Sequence, residues 1–417
     1  MRHLFWITPV LIGLALSCGG SGGGAGLNSA QHVTGTVYAA NGTDPVAGAT
    51  VYIPNSSSSK ISLVRHARTR VRALTSEDNT TCDDPAEASC GSTCSGANGT
   101  FTMDTSGCTG RETTLKIIKG IFRKTVTMNC SGDTCEISKA DCTFDADATG
   151  TDATKMAVVT GSWDKMEDVL AKLGYGTVGD DGHLVSGTEK FTIFGASTLF
   201  DGEHDLSQYD IIFINCGAGE SPLYTDAIKT SISDYVTNGG KLYVTDLAYD
   251  YVEQIFPQVM KFENDPDSDS TSGDMNEAEL GTSGLTVDAA VNNTTMMSWL
   301  GGVTVNTGWD FVDDASCESS TIHVNAKTGA LNDNGTIPVG DFLSGWAEMN
   351  SAHTDQSPTI WIQGDIMSLA TRPLTVSMDI GTHGGKVLYS SYHTSESCPS
   401  TGFWPQERVL QYLVFEM

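Results

Sequence analysis

The stretch YDIIFINCG, residues 209–217, decides the fold of the larger part of this chain, because it contains a continuous apolar run of strand length. Residues 225–240 follow with apolar side chains at helical spacing and two glycines at the end, and KLYVTD (241–246) is a second apolar strand. Apolar strands that alternate with amphipathic helices predict a parallel sheet with helices on both faces. Functional sites in such sheets lie at the carboxyl ends of the strands.

The same alternation begins upstream and sets the extent of this region. KMAVVTGSW (155–163) contains an apolar strand, and 164–176 has apolar residues at helical spacing. We therefore predict a three-layer α/β domain with a parallel sheet, of the flavodoxin-like kind, over 155–417. Within it, 257–373 has no clear helical periodicity and is predicted to be a large insert.

The first residues predict an export signal with a lipid anchor. Residues 1–18 combine Arg2 with an apolar run that is shorter than the ~20 residues of a membrane-spanning helix, and they end in Cys18. This ending resembles the lipobox of bacterial lipoproteins, which implies that Cys18 is diacylated and becomes the mature N-terminus. A Gly-rich tether follows at 19–32, and Gly19 in place of Asp implies the outer membrane. The alternative is an ordinary signal peptide with a chance cysteine.

The charge balance limits the possible partners. The 417 residues include 23 Lys and Arg against 51 Asp and Glu, for a formal net charge of −28. A protein that grips nucleic-acid phosphates or anionic lipid through charge needs a basic face, so both classes are disfavoured. Acyl chains on Cys18 would instead hold this acidic protein at the membrane, on a side that the sequence leaves open.

The cysteine pattern predicts disulfide bonds. Besides Cys18 there are ten cysteines, and an exported chain with this density is typical of a disulfide-bonded protein. A zinc site is the alternative, but no CxxC pair or nearby His completes its pattern. Cys317 and Cys398 could pair and join the insert to the C-terminal segment. Seven cysteines, an odd number, lie close together in the first half: Cys82, Cys90, Cys94, Cys108, Cys130, Cys135 and Cys142.

Residues 33–143 predict a smaller β-sandwich, because short strands alternate there with Gly and Asn turns. The phrases GTV (35–37), PVAGATV (45–51), NGTF (98–101) and TLKI (114–117) resemble the carboxypeptidase-regulatory-like domain, a transthyretin-like sandwich. That resemblance implies a non-catalytic spacer, folding module or glycan-binding module. The chain departs from it by a Cys-bearing insert, whose basic run at 60–72 is either a patch for an acidic partner or a solvated edge.

Two acidic segments are candidates for calcium, which prefers oxygen ligands. Residues 144–154 are predicted to be a linker between the domains, with Asp145, Asp147 and Asp152 as possible ligands. Asp265, Asp267 and Asp269 have the spacing of the first ligands of a calcium loop, but the Gly of its sharp turn is missing. A solvated acidic loop is the alternative in both places.

The three phrases 209–217, 235–246 and 384–396 resemble the class I glutamine-amidotransferase-like fold and its ThuA-like relatives. That resemblance implies oxyanion donors after the first strand, a nucleophilic Cys after the second and a His after the third. Here Asp246 stands at the nucleophile's place, and Cys216 lies on the oxyanion-side strand. His393 matches the family's His but lacks the His-x-Glu spacing. Cys216, Asp246 and His393 are therefore the pocket candidates, with Asp246 and His393 as weak catalytic ones.

These patterns favour a non-catalytic envelope lipoprotein with a binding or scaffolding role and no resident cofactor. Its ligand would be a glycan or an envelope protein. One alternative is a hydrolase that acts on an envelope glycan or peptide through Asp246 and His393, and another is a calcium-dependent adhesin. Aromatic side chains in the insert could stack on sugar rings, although tryptophans are more often buried. These are Trp299, Trp309, Trp346 and Trp361.

Overall fold

A computed structural model describes the chain over eleven ranges: 26–55, 74–75, 80–85, 87–263, 275–282, 284–307, 325–342, 345–352, 357–366, 371–394 and 400–417. Several predicted features lie outside these residues: Cys18 and its signal, the basic run 60–72, Asp265, Asp267 and Asp269, Trp309, and the Cys317–Cys398 pair. No helix within the described ranges has both the length and the apolar character needed to cross a bilayer.

The chain is rich in sheet and has few helices. The strands before residue 150 are β1 (His32–Thr36), β2 (Thr50–Pro54), β3 (Leu74–Thr75), β4 (Thr81–Cys82), β5 (Ser89–Cys94), β6 (Thr100–Asp104), β7 (Thr114–Lys119), β8 (Phe122–Thr127) and β9 (Thr134–Glu136). Those after it are β10 (Met156–Val159), β11 (Thr192–Phe194), β12 (Ile211–Ile214), β13 (Lys241–Thr245), β14 (Met260–Phe262), β15 (Leu285–Val291), β16 (Thr304–Thr307), β17 (Asn325–Thr328), β18 (Thr336–Phe342), β19 (Met349–Ala352), β20 (Thr359–Asp365), β21 (Thr371–Ile380) and β22 (Gly385–Ser390).

The α-helices are short, apart from two of twelve residues each. They are α1 (Met166–Leu170), α2 (Ala196–Leu199), α3 (Asp226–Thr237), α4 (Asp250–Glu253), α5 (Thr294–Leu300) and α6 (Pro405–Glu416). A π-helical turn, Ala171–Tyr175, continues α1. Inside this turn, Gly174 departs from helical geometry with a φ of 99°, which is easy only for glycine.

The N-terminal part contains two main sheets, in the strand orders β6-β1-β9 and β5-β2-β7-β8. Strand β6 shows why a sheet forms here: Phe101 and Met103 are buried, while the residues between them are exposed. Alternation with period two places one apolar face inward. These sheets therefore enclose a core of β-branched, aromatic and Met side chains.

Three disulfide bonds cross-link this N-terminal part, which confirms the prediction from the cysteine density. They join Cys82 to Cys94, Cys90 to Cys108, and Cys130 to Cys135. The odd cysteine of the seven is Cys142, a buried free thiol. Burial raises the pKa of Cys142 to about 12, so this thiol is protonated and unreactive at neutral pH.

The C-terminal part is built on one nine-stranded sheet in the order β11-β10-β12-β13-β22-β21-β20-β15-β18. The first five strands are parallel, and every pair from β22 onward is antiparallel. Strands β15, β18 and β20 come from 257–373. The residues predicted to be an insert therefore extend the same sheet at its β22 side.

Both faces of the four inner parallel strands, β10, β12, β13 and β22, are buried, as the apolar runs predict, whereas β11 at the edge is largely exposed. In β10, Met156 and Val158 face a core that includes residues of α1 and α6, and Ala157 and Val159 face a second core with α3. A continuous apolar strand can meet both cores because successive side chains point to opposite faces. The short polar turns after these strands then lie together at one edge of the sheet.

Helix α6 joins the two parts of the molecule. Its side chains are buried all round from Pro405 to Phe415. The ring of Phe415 lies 4.8 Å from that of Phe122 on β8. At the end of the helix, Glu416 forms a 2.6 Å ion pair with Lys119 on β7. One hydrophobic core consequently runs from the N-terminal sheets to the large sheet.

Candidate functional site

The carboxyl ends of β12, β13 and β22 bring together three candidates from the sequence. Cys216 follows β12, Asp246 follows β13 and His393 follows β22. These strands are neighbours and parallel, so the residues after them meet at one edge of the sheet. We call Cys216, Asp246 and His393 the strand-end cluster.

One carboxylate oxygen is shared by the other two members of the cluster. The Cys216 thiol donates a hydrogen bond to Oδ2 of Asp246 at 3.4 Å. Nε2 of His393 lies 3.1 Å from the same oxygen. The three residues are 0%, 0% and 2% exposed. The candidates therefore converge, but they do so in the interior of the protein.

The surrounding groups hold Asp246 in place. The backbone N–H of Ala347, from the predicted insert, donates to Oδ1 of Asp246 at 2.8 Å. The hydroxyl of Tyr389 donates to the Asp246 carbonyl at 3.1 Å. Asp246 has a φ of 43°, which is uncommon for a residue with a side chain and costs about 1–3 kcal/mol. These contacts stabilise a strained turn that points the carboxylate at the cluster.

Electrostatics keep the thiol protonated. Burial, followed by the nearby Asp246 charge, raises the pKa of the Cys216 thiol far above its usual range. Burial also raises the pKa of Asp246, while the hydrogen-bonding contact with His393 and its charge act in the opposite direction. Nucleophilic cysteines need the thiolate, which this environment disfavours. Cys216 is therefore a poor nucleophile in this structure.

A cleft of the molecule lies away from this cluster. It has a volume of about 630 Å³ and is formed where the N-terminal part meets the segment before β10. Lys124, Lys139, Asp145 and Asp147 contribute its charged groups. The lining includes no member of the strand-end cluster, so this cleft gives no route to Asp246 or His393.

Two residues that the sequence reasoning missed lie beside the cluster. Glu167 on α1 accepts a 2.7 Å hydrogen bond from Nδ2 of Asn215, the residue before Cys216. Burial raises the pKa of Glu167 to about 7. Trp163, in the turn after β10, is 55% exposed. The signal for both was the polar segment directly after the apolar strand 156–159, at the edge where sites form.

A glycine allows the turns after β10 and β12 to approach each other. A Cβ on Gly161 would lie 1.9 Å from the carbonyl oxygen of Cys216, which is too close for any side chain. The N–H of Trp163 donates to that same carbonyl at 3.2 Å. Trp163 is thereby held close to the cluster while its ring remains accessible.

Sugar stacking by the described insert tryptophans is contradicted by their burial. Trp299, Trp346 and Trp361 are at most 6% exposed. Each indole N–H also donates to a protein oxygen: the Pro45 carbonyl, the Thr282 carbonyl and the Ser377 hydroxyl, respectively. A buried tryptophan needs such a partner for its N–H, and these rings are core residues.

The aspartates of the predicted linker make separate contacts with the protein. The Asp152 carboxylate accepts from the N–H and hydroxyl of Thr125 on β8, and Asp147 pairs with Lys190 at 2.6 Å. Oδ1 of Asp145 accepts from the Asp147 N–H. Asp145, Asp147 and Asp152 thus have separate partners and do not form one shared ligand set in the structure. Calcium binding by this segment stays a prediction.

Two groups of three potential metal ligands occur among the described residues. In the first, Cys90 and Cys108 lie near Glu112, but the two cysteines form a disulfide and offer no thiolate. The second is the strand-end cluster, whose Sγ, carboxylate and imidazole atoms all lie within 4.8 Å of one another. It is the group in the described part of the chain that could hold a metal.

Comparisons with known proteins leave the family open. No protein family and no curated protein matches the chain. Among solved structures, Gan42B, a GH42 beta-galactosidase, aligns at 12% identity with a TM-score of 0.26. The alignment covers 63% of this chain and spans only 30% of that enzyme. A TM-score this low carries no argument about fold or function.

Proposed function

We propose that this protein is a non-catalytic lipoprotein of the cell envelope with a binding or scaffolding role. Acyl chains on Cys18 hold it at the outer membrane through the Gly-rich tether 19–32. Residues 33–143 form a carboxypeptidase-regulatory-like β-sandwich, and 155–417 form a flavodoxin-like, glutamine-amidotransferase-like domain without its nucleophile. The two N-terminal sheets and the five parallel strands, four of which are buried on both faces, support this assignment.

The burial of the strand-end cluster carries the non-catalytic part of the proposal. A nucleophile and its base must reach the substrate. Asp246 and His393 are close enough to cooperate, but they are 0% and 2% exposed. Cys216, which lies beside them, is held as a protonated thiol. The cluster stabilises the edge of the sheet instead of presenting reactive atoms.

An exposed aromatic ring at the same edge supports a binding role. Trp163 is 55% exposed, and the partly buried Glu167 lies on the following helix, where it accepts a hydrogen bond from the buried Asn215. An exposed aromatic face beside a partly accessible carboxylate suits a sugar ring or a protein side chain, because it combines apolar contact with a directed hydrogen bond. A glycan or an envelope protein is therefore the expected ligand class.

One observation favours a hydrolase as the second candidate. Asp246 occupies a left-handed turn at a strand end, with Nε2 of His393 3.1 Å from its carboxylate. Nucleophiles of several hydrolase classes occupy a similarly strained strand-end turn beside a His. In this alternative, once the cluster is opened to substrate, the Asp246 carboxylate displaces the leaving group of an envelope glycan or peptide and forms a covalent intermediate. His393 then removes a proton from the water molecule that hydrolyses this intermediate and frees Asp246.

The test compares the full chain with its Cys18→Ser variant in a bacterium with an outer membrane. We expect the full chain to incorporate labelled fatty acid and to fractionate with the outer membrane. Cys18→Ser should lose the label and appear in the soluble envelope fraction, because its anchor is gone. Equal labelling of both chains would contradict the anchor.

The same preparations test the absence of catalysis. The purified full chain is incubated with peptidoglycan fragments, envelope polysaccharide and envelope-derived peptides, and products are followed by mass spectrometry. We expect no turnover above a buffer control. Turnover by the full chain that disappears in Asp246→Asn would overturn the proposal and establish the hydrolase.

A further inference from the structure

We propose that the strand-end cluster is a binding site for a divalent transition-metal ion of the zinc class. The ion would be held by Sγ of Cys216, Oδ2 of Asp246 and a ring nitrogen of His393. It would tie together the ends of β12, β13 and β22. This inference concerns the stability of the sheet edge and does not depend on the proposed envelope function.

The chemistry of the donors selects the class of ion. Thiolate and imidazole groups are preferred by zinc and its neighbours in the first transition row, whereas calcium and magnesium prefer sets of oxygen ligands. The cluster offers one sulfur, one nitrogen and one carboxylate oxygen. A Cys, His and Asp set therefore favours Zn²⁺ or Co²⁺ over Ca²⁺ or Mg²⁺.

The distances suit a single ion. Zinc–ligand bonds of about 2.0–2.3 Å in a tetrahedral arrangement place neighbouring donor atoms roughly 3.4–3.6 Å apart. The observed separations are 3.4 Å from Sγ to Oδ2 and 3.1 Å from Nε2 to Oδ2. All three atoms lie within 4.8 Å of one another. The two separations from Oδ2 are within a few tenths of an ångström of these values, and Sγ and the imidazole nitrogen would approach each other to about the same distance on binding one ion.

Outer contacts orient these donors, as they do in established metal sites. The Ala347 N–H binds the second carboxylate oxygen of Asp246, and the Thr245 hydroxyl accepts from the Cys216 N–H at 3.0 Å. In addition, Oδ1 of Asn215 is buried and accepts no hydrogen bond within the described structure. Such an orphaned oxygen often marks a place for an ion or an ordered water.

The competing explanation is a hydrogen-bonded cluster that binds no ion, because the same distances suit a thiol and an imidazole around a carboxylate. The full, untagged chain is stripped with a chelator and then titrated with Zn²⁺ or Co²⁺ alone. We expect about one ion per chain by elemental analysis. Co²⁺ should produce a thiolate charge-transfer absorption band. Zn²⁺ should raise the melting temperature, whereas Mg²⁺ should not.

Calcium forms a separate arm of this titration. If Ca²⁺ raises the melting temperature and Zn²⁺ does not, the zinc-class site is overturned. That result would support the calcium-dependent adhesin that Asp265, Asp267 and Asp269 suggest. Stabilisation by Zn²⁺ without an effect of Ca²⁺ supports the strand-end cluster as the site.

Matched variants assign the band to its ligand. Cys216→Ser should abolish the charge-transfer band and weaken Co²⁺ binding at least about 100-fold. Cys142→Ser is the control, because Cys142 is the other buried free thiol among the described residues and lies outside the cluster. The Cys142→Ser variant should show the same charge-transfer band and the same Co²⁺ affinity as the unmodified chain.

A second variant covers the case in which Cys216→Ser fails to fold. His393→Gln keeps the thiol and removes the imidazole, so it should retain a weaker band at higher Co²⁺ concentrations. The unmodified chain decides the question even without variants. Absence of the band together with an unchanged melting temperature in Zn²⁺ would overturn the proposal, as would a band lost in Cys142→Ser but kept in Cys216→Ser.

Discussion

Glu167 shows how a single residue acquires unusual properties from its surroundings. It lies on α1, beside the end of β12, where its carboxylate accepts from Asn215. Burial raises its pKa to about 7 from the usual 4.5, and the hydrogen bonds it accepts oppose this shift only in part. The folded state therefore favours the protonated carboxyl group more than the unfolded state does.

This difference predicts a pH dependence of stability. Because the folded pKa is raised, the stabilising contribution of Glu167 is complete below pH 4.5 and is lost as the pH rises through about 7. Glu167→Gln keeps an acceptor for Asn215 and cannot ionise. We expect the free energy of unfolding of the unmodified chain to fall relative to that of Glu167→Gln by up to about 3 kcal/mol across this interval. Urea unfolding at both ends of the interval measures it.

The control for this prediction is Glu136→Gln, an exposed glutamate on β9. The free energy of unfolding of this variant reports what a Glu-to-Gln change does at an exposed position, and Glu167→Gln is compared with it at each pH. If the free energies of unfolding of Glu167→Gln and the unmodified chain change with pH in the same way, the prediction of a raised pKa for Glu167 is wrong.

At the scale of the element, α6 carries polar side chains into the interior. Glu407 accepts two 2.8 Å hydrogen bonds from the Lys172 ammonium, and both side chains are about 1% exposed. On the same helix, Arg408 pairs with Asp44 of the N-terminal part at 2.7 Å. Burying these charges is costly unless they are paired. The pairs therefore favour the one position and orientation of α6 in which each charge meets its partner.

Removing one partner of the buried pair should therefore be severe. Lys172→Met leaves the Glu407 carboxylate without its cation in a dry environment, and we expect a loss of about 3–5 kcal/mol in the free energy of unfolding. Lys172→Met combined with Glu407→Gln should cost less than the sum of the single changes. Urea unfolding of the four proteins forms a double-mutant cycle.

Lys190→Met is the matched control for this cycle. Lys190 pairs with Asp147 at 2.6 Å, but both side chains are largely exposed. Its removal should cost no more than about 1 kcal/mol, since water solvates both charges. Equal costs for Lys172→Met and Lys190→Met would refute a structural role for the buried pair.

At the scale of the whole molecule, the N-terminal and C-terminal parts share one hydrophobic core. Phe122 of β8 contacts both Tyr175 and Phe415 of the larger part, with ring centroids 5.8 and 4.8 Å apart. Trp299 donates its indole N–H to the Pro45 carbonyl at 2.8 Å. These contacts belong to a single hydrophobic core, so neither part completes its interior alone.

A shared core predicts one cooperative unfolding transition with the disulfides intact. Hydrogen exchange of β7, β8 and β12 should become fast at the same urea concentration. Phe122→Ala should lower the free energy of unfolding by about 3–5 kcal/mol, because it opens a cavity on the shared face. Exchange in all three strands should then become fast together, at a lower urea concentration. Early exchange confined to β7 and β8 would show that the N-terminal part unfolds separately.

The residue pattern alone predicted the parallel strands, the disulfide character of the N-terminal part and the sheet edge at which a site would lie. These features follow from local periodicity, cysteine density and the rule that parallel strands share one carboxyl edge. Asp246 and His393 were selected through the resemblance to the glutamine-amidotransferase-like fold, and the sequence left open whether they lie close together.

Tertiary structure alone decided whether these groups reach solvent. Strands of the predicted insert add to the sheet by long-range pairing, and the Ala347 segment covers Asp246. Helix α6 is buried on all sides because the N-terminal part packs on what would otherwise be its polar face. Such contacts join residues far apart in the chain, whereas periodicity reports only the neighbours of each residue. For this reason the sequence could locate the strand-end cluster but not show that it is sealed.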